Sequence, residues 1–258
     1  MNERAFLAGE PYGARGKIGL INVGGNPVPV VDFYRMIPPG VIVNENKIHE
    51  PPQVAGEAEE LGKRAIEAAK VIAEGGPDVI AFTCTASAMS VGPEADYDQI
   101  RWMQEASGGI PCTTTTTGIL NAFKLLHWQK FVMVSPYLPP IVERFIATLK
   151  VKGYTVLKAG SLAIEFLEAL RRSPTEKAYR LALETVVPEA DGIFIPCTTF
   201  RVIDIIERLE QETGKPVITS NQASLWECLR LLKIDDPIPG FGRLLTLPNR
   251  SQFQGFPR

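Results

Sequence analysis

The chain has 258 residues and is almost neutral, with 27 Lys and Arg against 29 Asp and Glu and a formal charge of −2. Hydrophobic residues make up 45% of it and charged residues 22%, which are the proportions of a globular protein and exclude a disordered or fibrous chain. Clusters of Lys and Arg are missing from the sequence, so nucleic acid has no basic face to bind, and small molecules are the expected partners.

The sequence also lacks the signals of export and of membrane insertion. Its first residues, MNERAFLAGEPYGARG, are polar where a signal peptide is apolar, and no run approaches 18 apolar residues. The four cysteines, at positions 84, 112, 197 and 228, never occur as C-x-x-C, so neither a zinc ribbon nor any other metal is expected. These features predict a cytoplasmic protein whose thiols stay reduced. They are also compatible with a homo-oligomer.

Short apolar runs alternate with longer segments of helical spacing along the chain. In 57–74 the apolar residues recur every three or four positions until Gly75-Gly76-Pro77, and a second such segment ends near Gly153. The short runs read as buried strands: KIGLINV (17–23), DVIAF (78–82), KFVMVS (130–135), TVLKA (155–159), DGIFI (191–195) and PVITS (216–220). Strands that alternate with helices predict an α/β protein with parallel sheets.

An internal repeat divides this pattern into two halves. The run beginning at Lys17 resembles the one beginning at Lys130, and DVIAFTCT resembles GIFIPCT, with Cys84 and Cys197 separated by the same 113 residues. A third pair, PCT at 111–113 and PVI at 216–218, is 105 residues apart and leads into a helical segment in both halves. The repeat predicts two similar lobes facing each other, with a cleft between them at the carboxyl ends of the strands.

The two repeated cysteines are the strongest candidates for chemistry. Each follows a strand and precedes a helix start, where unpaired N–H groups lower a thiol pKa and favour a bound carboxylate. Two facing thiols can remove a proton on one side of a carbon atom and return it on the other without histidine. The alternatives are packing in the core, which is the interpretation of Cys112 and Cys228, and a redox disulfide between Cys84 and Cys197.

The chain resembles the aspartate/glutamate racemase superfamily and, within it, the branch of maleate cis-trans isomerases and arylmalonate decarboxylases. The residues that carry the resemblance are D-F-Y-R-M-I-P-P-G-V (32–41), F-T-C-T-A-S (82–87), T-T-T-G-I-L-N-A (115–122), V-S-P-Y (134–137), I-P-C-T-T (195–199) and G-K-P-V-I-T-S-N-Q-A-S-L-W (214–226). The two cysteine motifs and the last segment are specific only in combination. The six segments together are spread over nearly the whole of 17–245 and follow the family's order.

The resemblance implies two Rossmann-like lobes related by a pseudo-twofold axis, no cofactor, and a small carboxylate or dicarboxylate substrate in the cleft between them. It makes Cys84 the nucleophile that adds to a cis-enedioate and Cys197 the opposing acid/base thiol. The residues that it implies in carboxylate binding are Asn26, Thr85, Tyr137 and Thr198. From the residues alone, Asn26 could equally be a turn residue and Tyr137 a loop cap.

Departures from the family pattern keep other activities open. Decarboxylases of this branch usually have glycine at the position of Cys84, so a thiol there favours an isomerase or a racemase of amino acids or hydantoins. The loop 23–27 reads Val-Gly-Gly-Asn-Pro where isomerases have Pro-Ser-Ser-Asn-Thr, and Ala86 replaces a serine for which Ser87 is a candidate substitute. A bulkier or less charged carboxylate than maleate is therefore compatible. A binding module without catalysis is the hypothesis from another class.

The repeat also predicts the division of the chain into domains. The first lobe comprises 1–115 with 225–258, because the helix after the last strand is expected to return to it, and the second lobe comprises 116–224. The irregular tail from 237 to 258 has no predicted structure and is either a dimer contact or disordered.

Overall fold

The computed structural model of the chain describes residues 9–49, 57–85, 95–165, 167–248 and 250–254. Within these residues the strands are β1 (Gly16–Val23), β2 (Val41–Ile48), β3 (Val79–Thr83), β4 (Cys112–Thr114), β5 (Lys130–Ser135), β6 (Thr155–Ser161), β7 (Ile193–Ile195) and β8 (Val217–Thr219). The helices are α1 (Val28–Met36), α2 (Glu57–Ala73), α3 (Ala95–Ala106), α4 (Thr115–Leu125), α5 (Pro139–Val151), α6 (Leu167–Arg172), α7 (Thr175–Thr185), α8 (Ile206–Thr213), α9 (Ser220–Leu231) and α10 (Arg243–Thr246). Short 3-10 turns lie at Ile203–Ile205 and Arg250–Gln252.

The strands form two four-stranded parallel sheets that share one topology. The first sheet has the order β2-β1-β3-β4 and the second the order β6-β5-β7-β8, so each strand of one half has its counterpart in the other. The predicted α/β class, the parallel sheets and the duplication are confirmed.

The third repeat pair shows how closely the two halves correspond. Thr114 ends β4 and caps α4 by accepting a hydrogen bond from the Thr117 N–H, and Thr219 ends β8 and caps α9 in the same way through Gln222. A threonine at the junction of strand and helix satisfies N–H groups that have no partner inside the helix. The same residue type therefore starts the equivalent helix in both lobes.

Strand β2 was not among the predicted strands. It pairs with β1 from Gly16↔Val41 to Val23↔Ile48, although its sequence, VIVNENKI, is polar in its second half. As an edge strand it has a neighbour on one side only, so its polar side chains remain partly exposed and the apolar run that marks a central strand is missing. The predicted helical stripes are confirmed, because Leu61, Ala65 and Ile72 of α2 and the inward residues of α5 are buried.

Helix α9 connects the two halves. It packs against α4, α1 and β3 as well as against β8, from which it starts. Gly118 of α4 permits the contact with α9, because a Cβ atom there would lie 2.6 Å from the carbonyl oxygen of Ala223. The division into 1–115 with 225–258 and 116–224 stays a prediction.

The tail from 237 onward packs back on α9 as far as the structure describes it. The ring of Phe253 lies 5.8 Å from that of Trp226, and the Gln222 side chain donates to the carbonyl of Phe241. Among the described residues, no helix is both long enough and apolar enough to cross a membrane.

Candidate active site

Each sheet reverses its strand order at one place, and the cysteine motifs lie there. In the first sheet the reversal falls between β1 and β3, and in the second between β5 and β7. Ligands of open α/β sheets bind in the crevice at the carboxyl ends of the two strands that flank such a reversal. Asn26 and Cys84 follow the two strands of the first crevice, and Tyr137 and Cys197 follow those of the second.

Cys84 is the more accessible of the two predicted catalytic thiols. It follows β3 directly and is partly exposed, whereas Thr83 before it is buried and donates its hydroxyl to the carbonyl of Ile21 at 3.0 Å. Thr85 after it is also buried, and its Oγ1 lies 2.9 Å from Oγ of Ser220 at the start of α9. The residues on both sides of Cys84 are thus anchored by their side chains, and Cys84 itself is partly exposed.

Cys197 is held in a backbone conformation that L-residues rarely adopt. It follows β7, is 8% exposed and has a φ of 100°. For a residue other than glycine such a φ is strained, and it persists only where surrounding contacts determine it. Two of these contacts are hydrogen bonds of its own backbone: its N–H donates to Ser220 Oγ at 3.0 Å, and its carbonyl accepts from the Phe200 N–H at 3.1 Å.

Tyr137 connects the two cysteine motifs. Its phenol donates a hydrogen bond to the Cys197 thiol and accepts one from Thr85, and it also lies within electrostatic reach of Cys84. The ring is supported by Phe145 of α5, with ring centroids 5.1 Å apart. Burial, followed by the charges of the nearby thiols, raises the pKa of Tyr137 well above its usual value, so the phenol remains a proton donor at neutral pH.

These contacts form a closed circuit. Thr85 interacts with Tyr137 and shares a hydrogen bond of 2.9 Å with Ser220, in which either hydroxyl can be the donor. Ser220 Oγ in turn accepts the N–H of Cys197, and Tyr137 donates back to the sulfur of Cys197. The circuit joins Cys197 N–H, Ser220, Thr85, Tyr137 and Cys197 Sγ, so the two cysteine motifs share one set of polar contacts.

The environment of Cys197 favours the protonated thiol. Burial raises the pKa of this thiol, while the backbone N–H of Thr199, the phenol of Tyr137 and the N–H of Phe200 act in the opposite direction. A thiol of raised pKa that still has donors around its sulfur suits a group that gives up a proton and must then carry a negative charge briefly.

Two of the predicted binding residues contact other parts of the chain. The Oδ1 atom of Asn26 accepts from the Val28 N–H at 3.1 Å, and its carbonyl accepts from Asn22, so it forms a turn at the start of α1. Among the described residues no hydrogen bond joins Asn26 to either cysteine motif. Thr198 is buried and its carbonyl accepts from the Asn221 side chain at 3.0 Å. Ser87 lies outside the described residues.

The sequence reasoning missed Ser220, Asn221 and Asp32. Ser220 contacts both cysteine motifs, and Asn221 links Thr198 to Asp32 of α1. The signals in the sequence were the segments S-N-Q-A (220–223) and D-F-Y-R (32–35), which belong to the resemblance but had no predicted role. Cys112 and Cys228 are fully buried, as predicted. No cluster of three or more His, Cys, Asp or Glu residues in the described part of the chain could hold a metal ion.

Together these features define a class of protein: a duplicated α/β fold with one cysteine at the strand reversal of each half. The chain belongs to the arylmalonate decarboxylase family, because the model of that family matches residues 56–245.

Three relatives illustrate the range of this family. The chain is 32% identical to the arylmalonate decarboxylase of Bordetella bronchiseptica over 145 residues, which are 55% of this chain and 60% of that protein. It is 27% identical to a maleate isomerase of Nocardia farcinica over 179 residues, 67% of this chain and 71% of that protein.

The third relative is a solved structure of Nocardia farcinica maleate cis-trans isomerase, a cysteine-to-serine variant with a covalently bound succinylcysteine intermediate. It superimposes with a TM-score of 0.82 at 21% identity, covering 90% of this chain and 98% of that one. At this identity the superposition shows the fold, and it extends over nearly the whole of both chains.

Proposed function

We propose that this protein is a cofactor-independent isomerase that converts a small cis-unsaturated dicarboxylate into its trans isomer, with Cys84 as the nucleophile and Cys197 as the acid/base group. The observation that carries the proposal is the Tyr137 phenol, which donates to the Cys197 thiol, accepts from Thr85 and lies near Cys84. It brings the two thiols of the repeat into one site.

The reaction runs through a covalent adduct. The Cys84 thiolate adds to one carbon of the double bond, the π electrons move to the other carbon, and the Cys197 thiol transfers its proton to that carbon. Rotation about the new single bond follows. The Cys197 thiolate then removes a proton from that carbon, the double bond re-forms, and the bond from carbon to the Cys84 sulfur breaks to release the trans product and the thiolate. Atoms and electrons balance, and no redox partner is needed.

The different exposure of the two thiols supports this division of labour. Cys84 is partly exposed and can reach a bound substrate, while Cys197 is buried with a raised pKa and keeps its proton until an acceptor is present. The proton transfer leaves a negative charge on Cys197, which the Tyr137 hydroxyl and the N–H groups of Thr199 and Phe200 stabilise. The Nocardia relative with its succinylcysteine supports an adduct of this kind.

Hydroxyl groups and backbone N–H groups are the proposed ligands of the substrate carboxylates. Thr198 follows Cys197, and Thr85 and Tyr137 line the circuit between the thiols. Each of these two hydroxyl groups has one hydrogen, so it binds a carboxylate only by turning that hydrogen away from its present acceptor. For Asn26 the role requires its side-chain amide nitrogen, since its Oδ1 atom is engaged with Val28. A carboxylate offers about four acceptor sites to donors of this kind, which supports a carboxylate as the class of substrate.

A second candidate function is decarboxylation of a substituted malonate. It is favoured by the 32% identity to the Bordetella decarboxylase. This reaction needs only the Cys197 thiol, which protonates the carbanion left by the departing CO2, so it should survive Cys84→Gly. The isomerase reaction should not survive that change.

Proton NMR in deuterated water tests the proposal. Maleate-like, malonate-like and amino-acid substrates are supplied to the parent, to Cys84→Gly and to Cys197→Ala, with Cys112→Ala as the control. An isomerase gives the trans product with the parent and the control only. Loss of CO2 with Cys84→Gly active supports the decarboxylase, and deuterium at an α-carbon with inversion supports a racemase. Binding without turnover, unchanged in both cysteine variants, contradicts an enzyme.

Mass spectrometry of Cys197→Ala adds a direct test of the nucleophile. Without the second thiol, release from the adduct should be slow, so incubation with the substrate should add its mass to the peptide that contains Cys84. An adduct on any other cysteine contradicts the assignment.

The protein is further proposed to act in the cytoplasm. The proposed reaction needs both Cys84 and Cys197 as reduced thiols, which the cytoplasm maintains. Fractionation of cells with an antibody against the chain tests this location.

A further inference from the structure

The strained turn at Cys197 is held from the opposite lobe by a buried carboxylate. Asp32 lies in α1 and is 4% exposed. Its Oδ2 atom accepts a hydrogen bond of 2.7 Å from the Asn221 side-chain nitrogen, and the same nitrogen donates at 3.0 Å to the carbonyl of Thr198. The connection therefore runs from α1 through the first turn of α9 to the residue that follows Cys197.

The orientation of the Asn221 amide shows how strongly these two contacts act. The carbonyl of Thr198 can only accept, so the NH2 group of Asn221 must face it, and the same nitrogen donates its other hydrogen to Oδ2 of Asp32. The Oδ1 atom then points elsewhere and, among the described residues, is buried without a hydrogen-bond partner. An unpaired buried oxygen is unfavourable, so the orientation is maintained by the two hydrogen bonds on the nitrogen.

Hydrogen bonds restrain the turn on both sides of Cys197, and the Phe200 N–H closes it by donating to the Cys197 carbonyl. The φ of 100° at Cys197 needs contacts on both sides: Ser220 holds the N–H of Cys197, and Asn221 holds the carbonyl of Thr198. In this conformation the N–H groups of Thr199 and Phe200 lie beside the Cys197 sulfur and lower its pKa against the effect of burial. If the turn relaxes, these N–H groups move away from the sulfur.

We propose that Asp32 is a positioning residue for Cys197, which through Asn221 holds the turn 197–199 in the conformation that presents the thiol to the site. Asp32 does not touch the sulfur and acts only through this relay. The inference rests on the proposed function for its importance in the reaction, but its test measures the thiol and the turn themselves.

The relay is tested with Asp32→Ala, which removes the acceptor, and Asp32→Asn, whose amide oxygen can still accept from Asn221. The rate of alkylation by iodoacetamide is measured for Cys197 and Cys84 separately, by mass spectrometry of their peptides, between pH 6 and pH 10. In Asp32→Ala we expect the apparent pKa of Cys197 to rise by about one unit and its rate at pH 8 to fall about tenfold. Cys84 should change less than about twofold, and Asp32→Asn should restore most of the rate at Cys197.

Amide hydrogen exchange of the peptide 195–201 provides a second measurement that does not depend on access to the thiol. Exchange there should be faster in Asp32→Ala and in Asn221→Ser than in the parent and in Asp32→Asn. The matched control is Asp96→Ala, because Asp96 is also a buried aspartate of the first lobe but its carboxylate accepts from Thr114 and Thr117. This control should lose stability and leave both measurements at Cys197 unchanged.

The inference is overturned if Cys197 alkylates and its turn exchanges as in the parent in both Asp32→Ala and Asn221→Ser, or if Asp96→Ala changes them equally. If the alkylation and exchange results hold but no substrate is isomerised, the relay stands and the proposed function fails. If the parent isomerises the substrate but Asp32→Ala and Asn221→Ser keep the parental kcat and the parental alkylation rate of Cys197, the proposed function stands and the relay fails.

Discussion

The two cysteine segments occupy equivalent places in a duplicated fold and yet differ in how they are held. Cys84 follows its strand with a partly exposed side chain, and its neighbours Thr83 and Thr85 are anchored through their side chains. Cys197 is buried, with a positive φ and with hydrogen bonds on its own N–H and carbonyl. The duplication therefore determines where the thiols lie, and the surrounding contacts determine that one is partly exposed while the other is buried and held in a strained turn, the difference on which the proposed roles of nucleophile and proton donor depend.

The largest expected effect concerns the accessible thiol. Cys84→Ser should lower kcat by about 10³-fold or more, because a serine hydroxyl at neutral pH is a far weaker nucleophile than a thiolate. Steady-state kinetics with the substrate found in the NMR panel measures the loss. Cys112→Ser changes a buried thiol away from the cleft and should keep the parental kcat. Parental kcat in Cys84→Ser would contradict the proposal that Cys84 is the nucleophile and Cys197 the acid/base group.

The contact that joins the two segments should have the next largest effect. Tyr137→Phe keeps the ring against Phe145 but removes the donor to the Cys197 sulfur, so kcat should fall about 10²-fold with a smaller change in KM. Tyr154→Phe is the matched control, since Tyr154 precedes β6 at the opposite end of the second sheet. Equal effects of the two changes would contradict a special role for the Tyr137 hydroxyl.

Ser220→Ala should have an intermediate effect on both segments at once. It leaves the Cys197 N–H without its acceptor and the Thr85 hydroxyl without its Ser220 partner, so kcat should fall about tenfold and the free energy of unfolding by about 1–2 kcal/mol. Ser224→Ala is the control one turn further along α9, because Ser224 is similarly buried but its hydroxyl bonds to Thr115 and to the Ser220 carbonyl, not to either cysteine motif. Kinetics and urea unfolding of the pair separate the two effects: loss of stability in both but of kcat in Ser220→Ala alone is expected.

The smallest expected effect is on stability and depends on pH. Burial raises the pKa of Asp32 from 3.8 to about 7, while the hydrogen bond from Asn221 and the charges of Arg35 and Arg201 lower it and that of Asp204 raises it. The folded protein thus holds a proton that the unfolded chain releases near pH 4, so ionisation of Asp32 reduces stability as the pH rises from about 4 to about 7.

Asp32→Asn has no such ionisation. Its Tm relative to that of the parent should therefore increase between pH 5 and pH 8, by roughly 5 °C, because about 1 kcal/mol shifts the Tm of a domain of this size by ~2–4 °C. Thermal unfolding at four pH values measures the difference. A difference in Tm that stays constant over this range would show that Asp32 is ionised throughout. The relay through Asn221 to the turn of Cys197 would then begin at a charged carboxylate at every pH tested.

Much of the fold followed from local patterns. Six of the strands, the stripes of α2 and α5 and the repeat at 113 residues depend on spacing along the chain, and spacing is visible in the sequence. Strand β2 was missed because an edge strand does not need an apolar run, and its pairing with β1 is a contact between distant residues.

The site was predictable to the extent that it depends on the repeat. Cys84, Cys197, Thr85 and Tyr137 were all placed near one another in advance, from the strand ends and the resemblance. The contacts of Ser220 with Thr85 and of Asn221 with Asp32 were not, since hydrogen bonds across more than a hundred residues leave no periodic signal. The turn of Asn26 with Val28 is a local contact and was one of the two interpretations that the sequence offered for that residue.

The sequence by itself determined the α/β class, the duplication and the two strand ends at which thiols stand, because periodicity, turn residues and repeat spacing are properties of the chain. Only the tertiary structure decided that Cys197 is strained and buried and that Cys84 is partly exposed. It also decided that Ser220 contacts both cysteine motifs and that Asp32 reaches the turn of Cys197 through Asn221. Burial and hydrogen bonding depend on which segments meet, and it is the return of α9 between the two sheets that makes these segments meet.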